Sequence, residues 1–184
     1  LSRRQRQMCI RDRLLHACAT NFEDESTTPT GKEIQMIMKN KVPKFGNDDD
    51  YADELFKYMF ECYCRHISGR ENTRGGHFSP GVYSVNANVA MGLNTNASVD
   101  GRKKGEAISD NMGPVHTDAG SHDICGPTAL TNSLTKVDHS LATNGTLMNL
   151  RFPQEAVAGI EGRDNLISFI DEYMNKSAMH VQFN

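Results

Sequence analysis

Three short stretches set polar side chains at alternate positions: Ser84, Asn86 and Asn88, then Asn149, then His180, Gln182 and Asn184. In an extended strand every second side chain shares a face, so each stretch would carry polar groups on one side and apolar groups behind. Hydroxyls, carboxamides and an imidazole donate and accept hydrogen bonds. Lined up, they suit a wall that holds a small hydroxylated, carboxylated or amine substrate. The plainer alternative is a network that only satisfies buried polar neighbours, and a third arrangement turns the polar faces to solvent. A second cluster, His116, Asp118, His122 and Asp123, gathers side chains that bind divalent metals. It sits among Gly113, Pro114 and Gly120 without helical spacing to fix ligand geometry, so a solvated loop is expected there and no metal site.

The elements that must position these residues follow from periodicity. Residues 14–22 read as helical. Thr30-Gly31-Lys32-Glu33 matches a capping box, followed by the stripe Ile34, Ile37 and Met38 to about Asn40. After Pro43 and Gly46, Asn47-Asp48-Asp49-Asp50 puts negative charge at a helix start, where the macrodipole favours it. The helix that follows carries Ala52, Leu55, Phe56, Met59, Phe60, Tyr63 and Ile67 at three- and four-residue spacings, one broad buried face. Beyond Gly75-Gly76 the period becomes two over Val82–Val89. Residues 93–125 read as loop, 128–137 as a helix with Leu130, Leu134 and Val137 inward, 146–152 as a strand, 166–174 as an amphipathic helix and 179–184 as a strand. Helix–strand alternation argues for an α/β fold with parallel strands.

Charge is unevenly spread. Residues 1–13 hold five arginines against one aspartate, while the remainder has fifteen basic and twenty-two acidic residues. A body that acidic makes a poor nucleic-acid partner, which needs clustered Lys and Arg. No apolar run is long enough to span a bilayer. The Arg-rich start has three readings: a transit peptide, a basic surface helix, or a non-native or disordered segment, since Arg4–Arg13 resembles translated sequencing-adapter sequence and the charge changes abruptly at Leu14. Five cysteines, an odd count without a signal peptide, argue against a disulfide framework and for a reducing cytoplasm. Cys62-Tyr63-Cys64 lacks the two-residue spacer of zinc and redox pairs and reads as ordinary helix.

Seven motifs in register then carry a resemblance: Gly46-Asn47-Asp48-Asp49, Arg74-Gly75-Gly76, Ser84-Val85 with Asn88-Val89, Asp100-Gly101-Arg102, Gly126-Pro127-Thr128-Ala129, Asn144-Gly145-Thr146-Leu147 with Asn149, and His180-Val181-Gln182-Phe183-Asn184. Over residues 14–184 the chain resembles the glycyl radical enzymes, the pyruvate formate-lyase-like superfamily. Its Gly-Pro-Thr-Ala form and His-Val-Gln-Phe-Asn run resemble the branch of glycerol and diol dehydratases, choline lyase and arylacetate decarboxylases. The resemblance implies part of a ten-stranded α/β barrel, incomplete in this chain. It implies a glycyl radical installed by an activating enzyme that uses S-adenosylmethionine and an iron–sulfur cluster, and a thiyl radical that takes hydrogen from a small polar substrate before C–O, C–N or C–C cleavage. It also implies a homodimer for the full-length enzyme, in the cytoplasm.

No Gly-Cys-x-Glu and no Arg-Val-x-Gly-Tyr occurs among the 184 residues. The expectation is therefore a fragment without catalytic residues of its own, inactive alone, that binds no cofactor and contributes Ser84, Asn86, Asn88, Asn149, His180 and Gln182 to a substrate pocket. The alternatives are a formate acetyltransferase of the pyruvate formate-lyase type and a structural or spare-part protein. Ser98-Val99 before Asp100, Asn111-Met112 and Asn88 depart from the family pattern, which leaves the substrate open.

Overall fold

A computed structural model describes residues 2–117, 120–176 and 178–183, with the side chains at 116–121 left out of the description; Asp118 and Asn184 lie outside the described residues. The elements run α1 (Arg3–Ala19), α2 (Gly31–Asn40), α3 (Asp50–Ile67), α4 (Ala87–Leu93), β1 (His116–Thr117), β2 (Gly120–Ser121), α5 (Gly126–Leu134), β3 (Met148–Leu150), α6 (Gly159–Asn175) and β4 (Val181–Phe183). They fall into two compact units. The first comprises residues 1–42, 86–108 and 116–120, the second 43–85, 109–115 and 121–184.

In the first unit, α1 runs without a break across Leu14, and Ser2–Arg13 are all exposed. The helical reading of 14–22 therefore extends much further toward the start. Helix α2 begins as expected: the Thr30 hydroxyl accepts from the Glu33 amide at 3.3 Å, and the Glu33 carboxylate accepts from the Thr30 amide at 2.8 Å. Ala17, Phe22 and Ile34 form the small core, with Leu14, Cys18, Met38 and Ala97 against it. Arg102 of the Asp-Gly-Arg motif is buried and anchors the loop that precedes and follows it. Its guanidinium donates to the carbonyls of Asn96, Lys103 and Glu106 and to the Ser98 hydroxyl. Ser98 in turn donates to Asp100, so one departure from the family pattern supplies a bond of this turn.

The expected strand over 82–89 is not formed, and this is a correction. Only Val82 pairs, as a parallel bridge to Thr146. Val85 (φ 46) and Asn86 (φ 65) then turn left-handed in succession, a conformation that ends an extended run. Asn86 becomes the N-cap of α4, a helix the period-two pattern concealed, and Asn88 lies inside it. Gly92 in α4 passes so close to residues 106–107 that a Cβ there would sit 2.7 Å from the Ala107 Cα. Gly92→Ala should therefore destabilise the protein by about 1–3 kcal/mol, read as a lower urea midpoint; an unchanged midpoint would contradict the close approach.

The second unit is built on a parallel ladder. The Val82 amide donates to the Gly145 carbonyl at 3.0 Å and the Leu147 amide to Val82 at 3.3 Å. On its other side β3 pairs with β4 in the register Met148–Val181, Asn149–Gln182, Leu150–Phe183. Met148 and Leu150 go into a core with Phe60, Cys64, Met112, Leu130, Leu134, Val137, Ala142, Tyr173 and Ala178. Phe152, Phe169 and Phe183 make edge and tilted ring contacts behind the strands. Such pairs add to the hydrophobic gain from burial.

Helix α3 is capped by Asp49, whose carboxylate accepts from the Tyr51 amide at 3.0 Å. The face it buries is narrower than its spacing suggested. Asp53, Phe60 and Cys64 are buried and Phe56 half-buried against Phe45, but Leu55 is 57%, Met59 69% and Tyr63 42% exposed. Asp53 explains the choice of face. Its carboxylate receives hydrogen bonds from Ser133 at 2.9 Å and Lys136 at 2.8 Å, both on or just after α5. Burial pulls the Lys136 ammonium down, but hydrogen bonds to Asp48, Asp50 and Asp53 outweigh it and hold the group above the ordinary lysine range.

His139 closes the core below β3. Its Nε2 lies 2.9 Å from the Leu134 carbonyl and its Nδ1 2.8 Å from the Thr146 hydroxyl. The carbonyl can only accept, so Nε2 carries the proton and the Thr146 hydroxyl donates to Nδ1. Burial lowers its pKa from 6.5, opposed by the bond to Leu134 and by Asp138. Above pH 6.5 native and unfolded states both hold neutral imidazole and contribute no slope. Below it the unfolded state takes up a proton that the native state resists, so stability falls with pH. Urea denaturation should show this loss between pH 7.5 and pH 5.5, and His139→Gln should flatten it; an equal slope in the variant would contradict the assignment.

Candidate functional site

The alternation of β3 decides which side chains leave the core. Met148 and Leu150 face inward, so Asn149 faces the opposite way, beside its register partner Gln182. His180 precedes β4, and its carbonyl accepts from the Met148 amide at 3.0 Å. Ser84 lies two residues past the Val82 bridge. Its hydroxyl donates to one carboxylate oxygen of Asp110, and the Asn149 Nδ2 donates to the other at 2.7 Å. The Ser84 amide donates to the Asn111 Oδ1. The Met112 amide donates to the Leu147 carbonyl at 3.0 Å, which lays residues 110–112 along the strand.

Asp110 is thus the carboxylate that joins Ser84 to Asn149. Two consequences follow from the donor that Asp110 takes up and the acceptor that the Ser84 amide takes up. With Nδ2 spent on Asp110, the Asn149 Oδ1 is left buried and, among the described residues, without a hydrogen-bond partner. With Oδ1 spent on Ser84, the Asn111 Nδ2 is left in the same condition. One unmet acceptor and one unmet donor in a single cluster each cost about 1–3 kcal/mol.

Of the expected pocket residues, the structure brings Ser84 and Asn149 together through Asp110 and sets Gln182 beside Asn149, with His180 on the same strand segment. His180 and Gln182 are exposed. It does not align Asn86 and Asn88 with them in a strand: both belong to the first unit, at the start of α4. Asp110 and Asn111 were missing from the expected pocket. The available signal was an acid between Ser109 and Asn111 in a stretch rich in turn residues, next to a departure from the family pattern. In the loop of His116, Asp118, His122 and Asp123, the His122 carbonyl accepts from the Asn47 Nδ2 at 2.7 Å. Asn47 Oδ1 also accepts from the amides of Ile124 at 2.8 Å and Cys125 at 3.2 Å. This carboxamide therefore shapes the entry into α5, where Pro127 occupies the first turn, a position that needs no amide donor.

At the far end of β3 a cavity of about 610 Å³ is lined by Pro127, Leu150, Arg151, Phe152, Leu166 and Phe169, among others. Asp110→Ala should remove the acceptor of two side chains and lower stability by about 1–3 kcal/mol, with faster hydrogen exchange at the Met112 amide. Unchanged exchange at Met112 would show that the carboxylate does not hold this segment.

Comparison with known proteins agrees with this architecture. A family model described as pyruvate formate lyase-like matches residues 5–92, and one described as glycine radical matches residues 109–184. The chain is 83% identical over 153 residues to (2S)-3-sulfopropanediol dehydratase of Klebsiella oxytoca, an alignment covering 83% of this chain and 18% of the relative. It is 36% identical to trans-4-hydroxy-L-proline dehydratase of Clostridioides difficile, over 94% of this chain and 20% of that one. A solved structure concerned with 1,2-propanediol dehydration in Roseburia inulinivorans superposes with a TM-score of 0.84 at 37% identity, covering 93% of this chain and 21% of that chain. The chain therefore spans about a fifth of the length of the relatives it matches.

Proposed function

We propose that this chain, which belongs to the glycyl radical enzymes of the pyruvate formate-lyase-like superfamily, supplies part of the barrel wall of a dehydratase. The whole enzyme, on this reading, removes water from a small vicinal diol that carries an anionic group. The observation that carries it is the 83% identity over 153 residues to a sulfopropanediol dehydratase.

The glycyl radical, installed by a radical S-adenosylmethionine activating enzyme, supplies the one-electron chemistry that starts hydrogen abstraction. What this chain contributes is a surface. Asn149, Gln182 and His180 along a parallel ladder, with Asp110 joining Ser84 to Asn149, support the reading of a hydrogen-bonding wall. On the apolar side Met148 and Leu150 join a core with Leu134 and Tyr173. A wall with one dry side and one polar side holds a substrate while keeping water from a reactive intermediate, and fixed geometry alone is worth orders of magnitude in rate. Asn86 caps α4 and Asn88 lies within it, so neither belongs to a strand.

The test is the full-length enzyme with its activating enzyme under strict anaerobiosis. An organic radical signal, and conversion of 3-sulfopropanediol to an aldehyde and water, are the expected result. Turnover of a 2-oxo acid with coenzyme A in place of the diol would replace this reading by the formate acetyltransferase one.

A further inference from the structure

Helix α3 carries a second apolar face that the core does not use. By helical spacing, Tyr51, Leu55, Tyr58 and Met59 fall on the side opposite the buried Asp53, Phe60 and Cys64. Each of the four is more than half exposed. A helix that packs on a core with one face ordinarily turns polar residues outward. Helix α6 does so: it buries Tyr173 in the same core and sets Asp164, Ser168 and Asp171 on the far side, all exposed. Tyrosine and methionine in the outward position are instead the residue types enriched where protein surfaces meet. The charges along this face are ordered as well. Residues 48–54 hold five acids and no base, whereas residues 64–70 hold Arg65, His66 and Arg70 and no acid. Lys136 answers Asp48, Asp50 and Asp53, while Glu54 meets Lys57 at 3.9 Å. Arg65 meets Glu61 at 2.9 Å through one nitrogen, and a guanidinium has further donors to give.

We propose that this face of α3 docks antiparallel on the α3 of a second copy of the enzyme, about a two-fold axis near Met59. Glu54 and Arg65 stand on either side of Met59, five residues before it and six after. In that register Tyr58 and Met59 occupy the centre, Leu55 and Cys62 flank them, and Glu54 of each copy faces Arg65 of the other. The charges enforce the direction. A parallel pair would set five acids against five acids, whereas the antiparallel pair sets the acidic end of each helix against the basic end of its mate. Complementary charge of this kind fixes register more than it adds affinity, and the apolar centre supplies the burial. A covering segment from elsewhere in the same polypeptide has no need of charges balanced about the midpoint of α3. A two-fold partner does, because the same patch must serve both sides and every contact occurs twice. The inference goes beyond the dehydratase reading and is independent of the substrate.

The experiment uses the full-length enzyme before activation, with molar mass followed by sedimentation equilibrium over a dilution series. The wild type should be a dimer that dissociates on dilution. Met59→Glu sets two like charges at the axis and should weaken association by about a hundredfold or more, the effect of losing a central contact. Its melting temperature should be unchanged at a dilution where the wild type is also monomeric. Arg65→Glu should weaken association about tenfold, since each dimer loses two exposed ion pairs. Adding Glu54→Arg to that variant should restore most of the loss, because the reversed pair meets across the axis. A monomeric wild type, or a dimer that survives Met59→Glu, would overturn the proposal. So would a lowered melting temperature of Met59→Glu at monomeric dilution, the mark of a face covered by the enzyme's own polypeptide. A double variant no tighter than Arg65→Glu alone would overturn it too.

Discussion

The second unit depends on one short stretch of backbone, residues 145–150, that serves two ladders in turn. Residues 145–147 take a parallel neighbour at Val82, and Met148–Leu150 takes another at Val181–Phe183. A stretch paired with two neighbours cannot slip by one residue without exchanging its two faces. Here the exchange would drive Asn149 into a core of Met112, Leu134 and Tyr173 and expose Met148 and Leu150. The cost of burying a carboxamide without partners and of exposing two large apolar groups act in the same direction. Register, core and polar row are therefore one constraint seen from three sides.

Around that strand, polar contacts outside the ladder fix the loops. Asn47 reads the backbone before α5, Asp110 joins residue 84 to β3, and Arg102 gathers the carbonyls of its own loop in the first unit. Each is a single side chain that satisfies several backbone or side-chain groups, the arrangement that lets irregular segments be buried at all. The family motifs Gly-Asn-Asp-Asp and Asp-Gly-Arg thus have physical content. Both place a hydrogen-bonding side chain where the chain turns with a glycine, at Gly46 (φ 96) and Gly101 (φ 98).

Much of this was legible in the residues. The capping box at Thr30, the acidic start of α3, the inward Leu130, Leu134 and Val137, and the strands through Asn149 and Gln182 all follow from local rules of period and capping. What failed did so where distant contacts decide. Val82–Val89 alternates as a strand should, but two left-handed residues at 85 and 86 convert its second half into α4. Leu55, Met59 and Tyr63 read as core because their spacing is helical, yet the buried side of α3 is chosen by Asp53 and its partners on α5. Asp110 escaped notice because its importance lies in Ser84 and Asn149, twenty-six and thirty-nine positions away, and no local pattern reports such separations.

Those separations are longer still where α3 meets α5. Asn47, Asp48, Asp50 and Asp53 find their partners seventy-five to eighty-six positions downstream, and residues 86–108 of the first unit fall inside the closed loop. Closing a loop that long costs chain entropy before any contact compensates it, and distant pairings slow folding. During synthesis α3 must therefore stand with its acidic turn unanswered until α5 has been made. The stretch between them has its own small assembly to complete in that interval, centred on Arg102, all of whose acceptors lie within six residues of it. The order of emergence thus favours the locally wired loop first and the far-reaching clasp second.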